Sequence, residues 1–346
     1  MFLSLFPIDM IEMEKIRFEK VKRVSIEREF ALTDKNKKPL SRVDTAAFVK
    51  KLELEKDRIE HISEFDMEIS INGVEMKFAL ISPQDVRSVV LSARNVVNEV
   101  TEKEGLIPNW RNQDLPYPKE YYNGCFLTYA FPELINAFIL TNSTHLHFEI
   151  SKSDVFHAYR QMNCLVPWFM VHSKETKGYD LFDAARKRTK FMKELYLPQR
   201  FDSDEDYQRF VLSSSKFIED KLKNMGSWEI ISDSELFDRN SLCLRPKGIF
   251  HQARIRKDLE LPNGNISLEF RPISGVEDPL KEIILIEAAI CAFEEALKRP
   301  GEINELDKVR SFYKTFDSSN GAYTPARDFI HYAYLKNMGR PISIDN

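Results

Sequence analysis

Four pairs of polar residues, each spaced two positions apart in its own segment, constrain this chain more than any other feature: Glu27/Glu29, His145/His147, Arg254/Arg256 and Glu269/Arg271. Each pair lies in a stretch with strand character (VSIEREFAL, STHLHFEIS, GIFHQARIRKD, ISLEFRPI), where residues i and i+2 project from the same face. Glu, His and Arg along one sheet face make a poor core. The same side chains suit a wall that holds hard cations through carboxylate and imidazole, and polyphosphate through guanidinium. The pattern therefore predicts a metal–nucleotide site built on a sheet.

Each pair also has a plain structural reading. Glu27 and Glu29 could be a solvated strand face, but Val24, Ile26, Phe30 and Leu32 around them imply a strand whose other side is buried. His145 and His147 could be hydrogen-bonded core histidines. Two on one face after Ser143-Thr144 is ligand-like spacing. A Zn or iron site on HxHxE competes with this, and the carboxylate-rich remainder suits Mg²⁺ or Mn²⁺ better. Arg254/Arg256 and Glu269/Arg271 could be cross-strand salt bridges of little energetic worth. Their joint occurrence with the acids favours the functional reading, because divalent ions need several carboxylates and a transferring phosphoryl group needs guanidinium. No GxxxxGK[ST] or GxGxxG occurs, which disfavours P-loop, kinase-type and Rossmann nucleotide sites.

Composition narrows the partners. The chain has 346 residues, enough for a sizeable core, and 50 Lys+Arg against 54 Asp+Glu, a formal net charge of -4. Nothing in that balance announces nucleic acid or an anionic membrane. Cys125, Cys164, Cys243 and Cys291 are far apart with no CxxC, which fits reduced thiols in a cytoplasmic protein. The N-terminal MFLSLFPIDMIEMEK has acids where a signal peptide has a basic region, so it reads as mature protein. No apolar run reaches the roughly 20 residues that a membrane span needs.

With no repeat and no long linker, residues 1–346 read as one domain. A strand at 21–34 precedes a helix at 43–57. HISEFDMEISING then alternates Phe65, Met67 and Ile69 against Glu64, Asp66 and Glu68, a half-buried strand with an acidic face. Ser82 is expected to cap a helix with Pro83 in its first turn, running to about Glu104. Residues 107–127, rich in Pro and aromatics, read as a long loop. Ser153/Asp154 can cap a buried helix in which Pro167 should force a kink or a restart. Further helices are expected over 204–223 and 279–298. Leu-Pro-Asn-Gly-Asn signals a hairpin turn between the RxR and ExR strands.

Four segments, in order, resemble the carboxylate–amine ligases related to glutamate–cysteine ligase and, more distantly, glutamine synthetase. They are IEREFAL, EFDMEIS, THLHFEIS and SLEFRPI. FHAYRQMNCLVPWFMVHS, KGYDLFDAARKR and FDSDEDYQRFV resemble that family's long helix, the loop after it and a later helix. The likeness spans about 22–298 and leaves 299–346 as a C-terminal extension of unknown role. It implies an α/β (α+β) fold with an antiparallel sheet curved into a funnel-shaped active site and helices packed outside. It implies Glu27, Glu29, Glu68, His145 and Glu269 as metal ligands, His147 near the nucleotide phosphates, and Arg254 and Arg271 facing the transferred phosphoryl and the substrate carboxylate. Arg256 is a second choice that register decides.

The implied activity is ATP-dependent ligation, with Mg²⁺ or Mn²⁺, of an amino acid carboxylate to an amine through an acyl phosphate. The γ-carboxylate of glutamate is the donor it points to, with an amine such as cysteine as acceptor. The partners are ATP, the carboxylate and the amine, with room for a homo-oligomer and none for nucleic acid or membrane. Ser143 replaces the family's usual Gly, Glu149 is an extra acid past His147, and His172-Ser173-Lys174 replaces an Asn-Ser-Pro, all where the substrate pockets would lie. The alternatives are a phosphagen-type guanidino kinase and a catalytically silent nucleotide-binding or regulatory relative.

Overall fold

The structure is a computed structural model that describes residues 18–67, 73–111, 132–134, 142–174, 181–191, 196–224, 252–256, 264–299, 306–315 and 323–338. Its centre is a seven-stranded antiparallel sheet of β1 (Val24–Asp34), β2 (Ile62–Met67), β3 (Gly73–Ile81), β4 (Leu106–Asn109), β5 (Ser143–Ile150), β6 (Ala253–Arg256) and β7 (Ile266–Ser274). The order is β2-β3-β1-β5-β7-β6, with β4 paired to the far end of β1. The sheet is open. Strand β1 is central, and Val24, Ile26, Phe30 and Leu32 on it are buried, as their apolar spacing predicts.

The helices are α1 (Arg42–Glu55), α2 (Val86–Lys103), α3 (Val155–Ser173), α4 (Leu181–Phe191), α5 (Asp204–Asn224), α6 (Pro279–Lys298), α7 (Leu306–Thr315) and α8 (Tyr323–Met338). Ser41 caps α1 by accepting from Asp44 N, and Asp278 caps α6 by accepting from Leu280 N ahead of Pro279. Helices α3 and α6 cover the apolar side of the sheet. Phe169 of α3 meets Phe270 of β7 edge to face at 5.0 Å, and Phe148 of β5 stacks on Phe293 of α6 at 4.1 Å. Such pairs add about 0.5–1.5 kcal/mol each beyond the area they bury. Helix α8 packs on α6 and α3 through Phe329, Ile330, Ala333 and Tyr334, so part of the C-terminal extension completes the core.

Several expectations need correction. The residues 107–109 belong to β4 and not to a loop, because their backbone pairs with Ala31–Thr33 of β1. Ser82 starts a turn, accepting from Asp85 N at 2.9 Å, and α2 begins only at Val86. Pro167 does not restart its helix: α3 runs from Val155 to Ser173 through it. From Leu181 onward KGYDLFDAARKR belongs to α4 and not to a loop. The Asn-Gly signal lands on Gly264, whose φ of +79° needs glycine's freedom, between β6 and β7.

A buried ion network ties the layers together under β1 and β5. Arg28 Nε lies 2.5 Å from Glu282 Oε1 of α6, and Arg94 Nε of α2 lies 3.2 Å from the other oxygen. Thr144 of β5 donates to the same carboxylate at 2.8 Å. Arg28 also donates to the carbonyls of Glu29 and Trp110, and Arg94 to those of Val276 and Glu277. The backbone of β1 is thus pinned where it presents its acids to the opposite face.

Candidate functional site

Because side chains alternate, every residue that fails to enter the core from β1, β3, β5, β6 and β7 meets its neighbours on one polar face. The register places Glu27 opposite both Lys77 and His145, Glu29 opposite Glu75, His147 opposite Glu269, and Glu269 opposite Arg254. Glu27 of β1 and Glu269 of β7, 242 positions apart in the chain, thereby flank His145 and His147 of the strand between them.

Glu27 is the junction. Its Oε2 lies 3.2 Å from His145 Nδ1 and 3.2 Å from His147 Nε2. Burial alone would raise its pKa, but His147 and His145 outweigh that and hold the carboxylate ionised well below the usual range. His145 is buried, and burial together with the Arg271 guanidinium pushes its pKa down to about 4 against the pull of Glu27 and Glu269. A neutral imidazole is the form that binds a metal. Its Nε2 lies 2.7 Å from Ser143 Oγ, which also lies 2.8 Å from Glu29 Oε2, so a single hydroxyl proton serves one of the two. Ser143 N donates to the same Glu29 oxygen at 2.9 Å.

His147 Nδ1 lies 3.3 Å from Ser267 Oγ, whereas Nε2 is buried and, among the described residues, lacks a hydrogen bond despite its proximity to Glu27. Two sets of ligand atoms converge within 4.8 Å: Glu27, His147 and Glu269, and Glu27, Glu75 and His145. Glu75 had no place in the sequence reading. The signal was present, since Glu75 and Lys77 form one more polar pair at i and i+2 between buried Val74, Met76 and Phe78.

Glu269 is fully buried and surrounded by guanidinium. Arg254 donates to it from Nε and, at 2.9 Å, from Nη2, Arg256 Nη1 donates at 3.0 Å, and Arg271 Nη1 at 2.5 Å. Burial opposes its ionisation, but Arg254, Arg271, His147 and Arg256 hold it well below the usual carboxylate range. Four donated hydrogen bonds use roughly the four lone-pair sites a carboxylate has. Arg254 and Arg256 both face this side of the sheet, so register selects both rather than one. Arg271 N donates to the carbonyl of Gln252, just before β6, at 2.7 Å, and Gln252 Nε2 donates to Tyr196 Oη at 2.8 Å. Glu68 lies outside the described residues, one position beyond β2.

The donor set fits a divalent cation on the Glu27 side: carboxylate oxygens and two imidazoles, with the buried Nε2 of His147 lacking a hydrogen bond among the described residues, are the chemistry such an ion takes. Glu269 fits less well as it stands, since ligation there would require one arginine to let go.

No family model matches the chain, and no curated protein matches it. Membership in the glutamate–cysteine ligase family is therefore unsupported by those comparisons. Among solved structures, it is similar to the ligase PafA, solved in complex with the prokaryotic ubiquitin-like protein Pup, at 11% identity and a TM-score of 0.45, covering 95% of this chain and 59% of that one. It is also similar to a glutamine synthase homolog (13% identity, TM-score 0.40, 95% and 69% covered) and to Plasmodium falciparum glutamine synthetase (11%, 0.44, 94% and 74%). Likeness at this level assigns neither an activity nor a substrate.

Proposed function

We propose that this chain is an ATP-dependent carboxylate–amine ligase, joining the γ-carboxylate of glutamate to an amine such as cysteine. The observation that carries the reading is the junction on one sheet face of Glu27, Glu75, His145 and His147 with the guanidinium groups of Arg254, Arg256 and Arg271. A site that activates a carboxylate with ATP needs those two halves together: acids and imidazole for a cation-bound polyphosphate, and planar donors for the phosphoryl oxygens. Glu27, Glu29, Glu75 and His145 would hold Mg²⁺ or Mn²⁺, with Glu68 and Glu269 as further candidates. The bound ion would supply charge neutralisation along the polyphosphate.

The substrate carboxylate oxygen attacks the γ-phosphorus, the bond to the β-bridging oxygen breaks, and ADP leaves an acyl phosphate. The amine nitrogen then attacks the acyl carbon and phosphate departs. Arg254 and Arg271 face the oxygens that gain charge in both steps, and His147 with Arg256 orients the nucleotide phosphates. A carboxylate of this face takes the proton that the amine must lose. No protein nucleophile is required, and neither Cys164 nor Cys291, both buried, is needed for one.

The test is phosphate release from ATP with glutamate against a panel of amines. Release that requires Mg²⁺, glutamate and an amine together is expected. Phosphorylation of a guanidino compound without phosphate release would favour the kinase reading, and nucleotide binding without any turnover the silent relative.

A further inference from the structure

Strand β6 carries two of the three arginines on Glu269 and, among the described residues, pairs with β7 alone. Its outer edge meets two helices. Asn163 Nδ2 of α3 donates to the carbonyl of Ala253 at 3.0 Å, and Tyr207 Oη of α5 donates to the carbonyl of Ile255 at 2.8 Å. Both side chains are buried. A peptide unit is planar, with its C=O and N–H directed to opposite sides. The Ala253 carbonyl shares its peptide unit with the N–H of Arg254, and the Ile255 carbonyl with the N–H of Arg256. Each arginine's own peptide plane is therefore held from outside by a side chain and turned inward to β7, where Arg254 stands opposite Glu269 and Arg256 opposite Ser267.

We propose that Tyr207, with Asn163 beside it, is a positioning residue for the guanidinium half of the site: the two donors stand in for a missing neighbour strand and fix the backbone from which Arg254 and Arg256 project. The proposal rests on the ligase reading above, in which Arg254 faces the transferred phosphoryl group and Arg256 orients the nucleotide phosphates. A four-residue edge strand with one neighbour has unpaired carbonyls along its outer side and can twist about its single ladder. An arginine side chain converts a small backbone rotation into a larger displacement of its guanidinium. The need to satisfy a buried carbonyl accounts for a donor at each place. Placement of both donors on the two arginine peptide units, from two different helices, is what ties the Tyr207 hydroxyl to activity.

A neighbouring hydroxyl supplies the control. Tyr207 and Tyr159 both pack on Phe201, with ring centroids 5.2 Å and 5.3 Å away, but Tyr159 Oη accepts from Gln199 N at 3.2 Å. Tyr207→Phe and Tyr159→Phe each remove a buried hydroxyl and keep the ring. On the full chain with Mg²⁺ and ATP, Tyr207→Phe should lower kcat by roughly tenfold and weaken ATP binding by a similar factor, the effect of a group displaced from its working position. Mn²⁺ affinity should stay parental, because Glu27 and His145 lie on β1 and β5. Tyr159→Phe should show a comparable fall in melting temperature with kcat and ATP affinity kept. Asn163→Leu removes the other donor and takes the place of Tyr207→Phe, with the same losses expected, should that variant misfold. Parental kcat and ATP affinity in Tyr207→Phe, or equal losses in the two phenylalanine variants, would overturn the proposal. A parent without ATP turnover defeats the ligase reading instead. Hydrogen exchange then decides the role of Tyr207: faster exchange of the Arg254 and Arg256 amides in Tyr207→Phe than in Tyr159→Phe supports it, and equal exchange rejects it.

Discussion

Glu27 and His145 stand directly opposite each other in the register of β1 and β5, with Oε2 3.2 Å from Nδ1. Burial and Arg271 keep the imidazole neutral, with a pKa near 4, so the contact is a hydrogen bond between a neutral ring and a carboxylate. Exchange of such a contact for a shared cation is inexpensive. Glu27→Gln should therefore weaken Mn²⁺ binding by at least tenfold, about 1.4 kcal/mol, and abolish ligase turnover. The melting temperature should fall by no more than a few degrees. Calorimetric titration and a thermal melt check both parts, and unchanged affinity would place the cation elsewhere.

Arg271 separates transfer chemistry from nucleotide anchoring. It shares Glu269 Oε1 with Arg254, so its guanidinium is held at the border between the arginine cluster and the acids. Lysine there keeps the charge and loses the planar fork. Arg271→Lys should lower kcat by roughly 10²–10³, the scale of one lost transition-state donor, with ATP affinity nearly unchanged. Steady-state kinetics and nucleotide titration decide it. Lost ATP affinity with kcat kept would make Arg271 a nucleotide anchor and move the carboxylate pocket toward Arg254.

The network under the site should dominate stability. Glu282 is 1% exposed and faces Arg28, Arg94 and Thr144. Glu282→Ala leaves two buried guanidinium groups without their carboxylate and should cost about 3–5 kcal/mol in urea unfolding. Thr144→Val removes one hydrogen bond and should cost about 1 kcal/mol. A Glu282→Ala loss as small as that of Thr144→Val would mean that the carbonyls of Trp110, Val276 and Glu277 satisfy the arginines unaided.

What the sequence discloses and what it hides divides along the range of the interactions. Strand β1, with β5 and β7, is legible because period-2 alternation is a local signal, and Glu27, His145, His147 and Glu269 share a face for the same reason. Strand β3 is hidden because the acidic alternation of 61–73 and the helix signal at Ser82 leave only a short segment between them, although Asn72-Gly73 is a turn-type dipeptide and Glu75/Lys77 repeats the polar pair. Arg28 and Glu282 are hidden for another reason. Glu282 in the first turn of a helix looks like an ordinary dipole partner, and only packing of α6 against β1 turns it into a buried counter-ion 254 positions away from Arg28. The fourfold claim on Glu269 is likewise set by three-dimensional register, which a motif such as ExR does not contain.

His172 gives a pH dependence independent of the candidate site. It lies in the last turn of α3 against Trp168, ring centroids 4.2 Å apart, and burial together with Lys281 lowers its pKa to about 4. The unfolded chain carries an ordinary histidine near 6.5. Between those values the unfolded state binds a proton that the folded state refuses, so stability is fully present above pH 6.5 and is lost as pH falls toward 4. The contribution is roughly 1–2 kcal/mol at pH 5. His172→Phe keeps a ring against Trp168 and removes the titration, while His145 and the carboxylates titrate equally in both proteins. Urea unfolding of the pair from pH 7.5 to 5 should show the variant gaining on the parent by about that amount as pH falls. A difference that stays constant over the range would mean that His172 protonates in the folded protein as readily as in the unfolded chain.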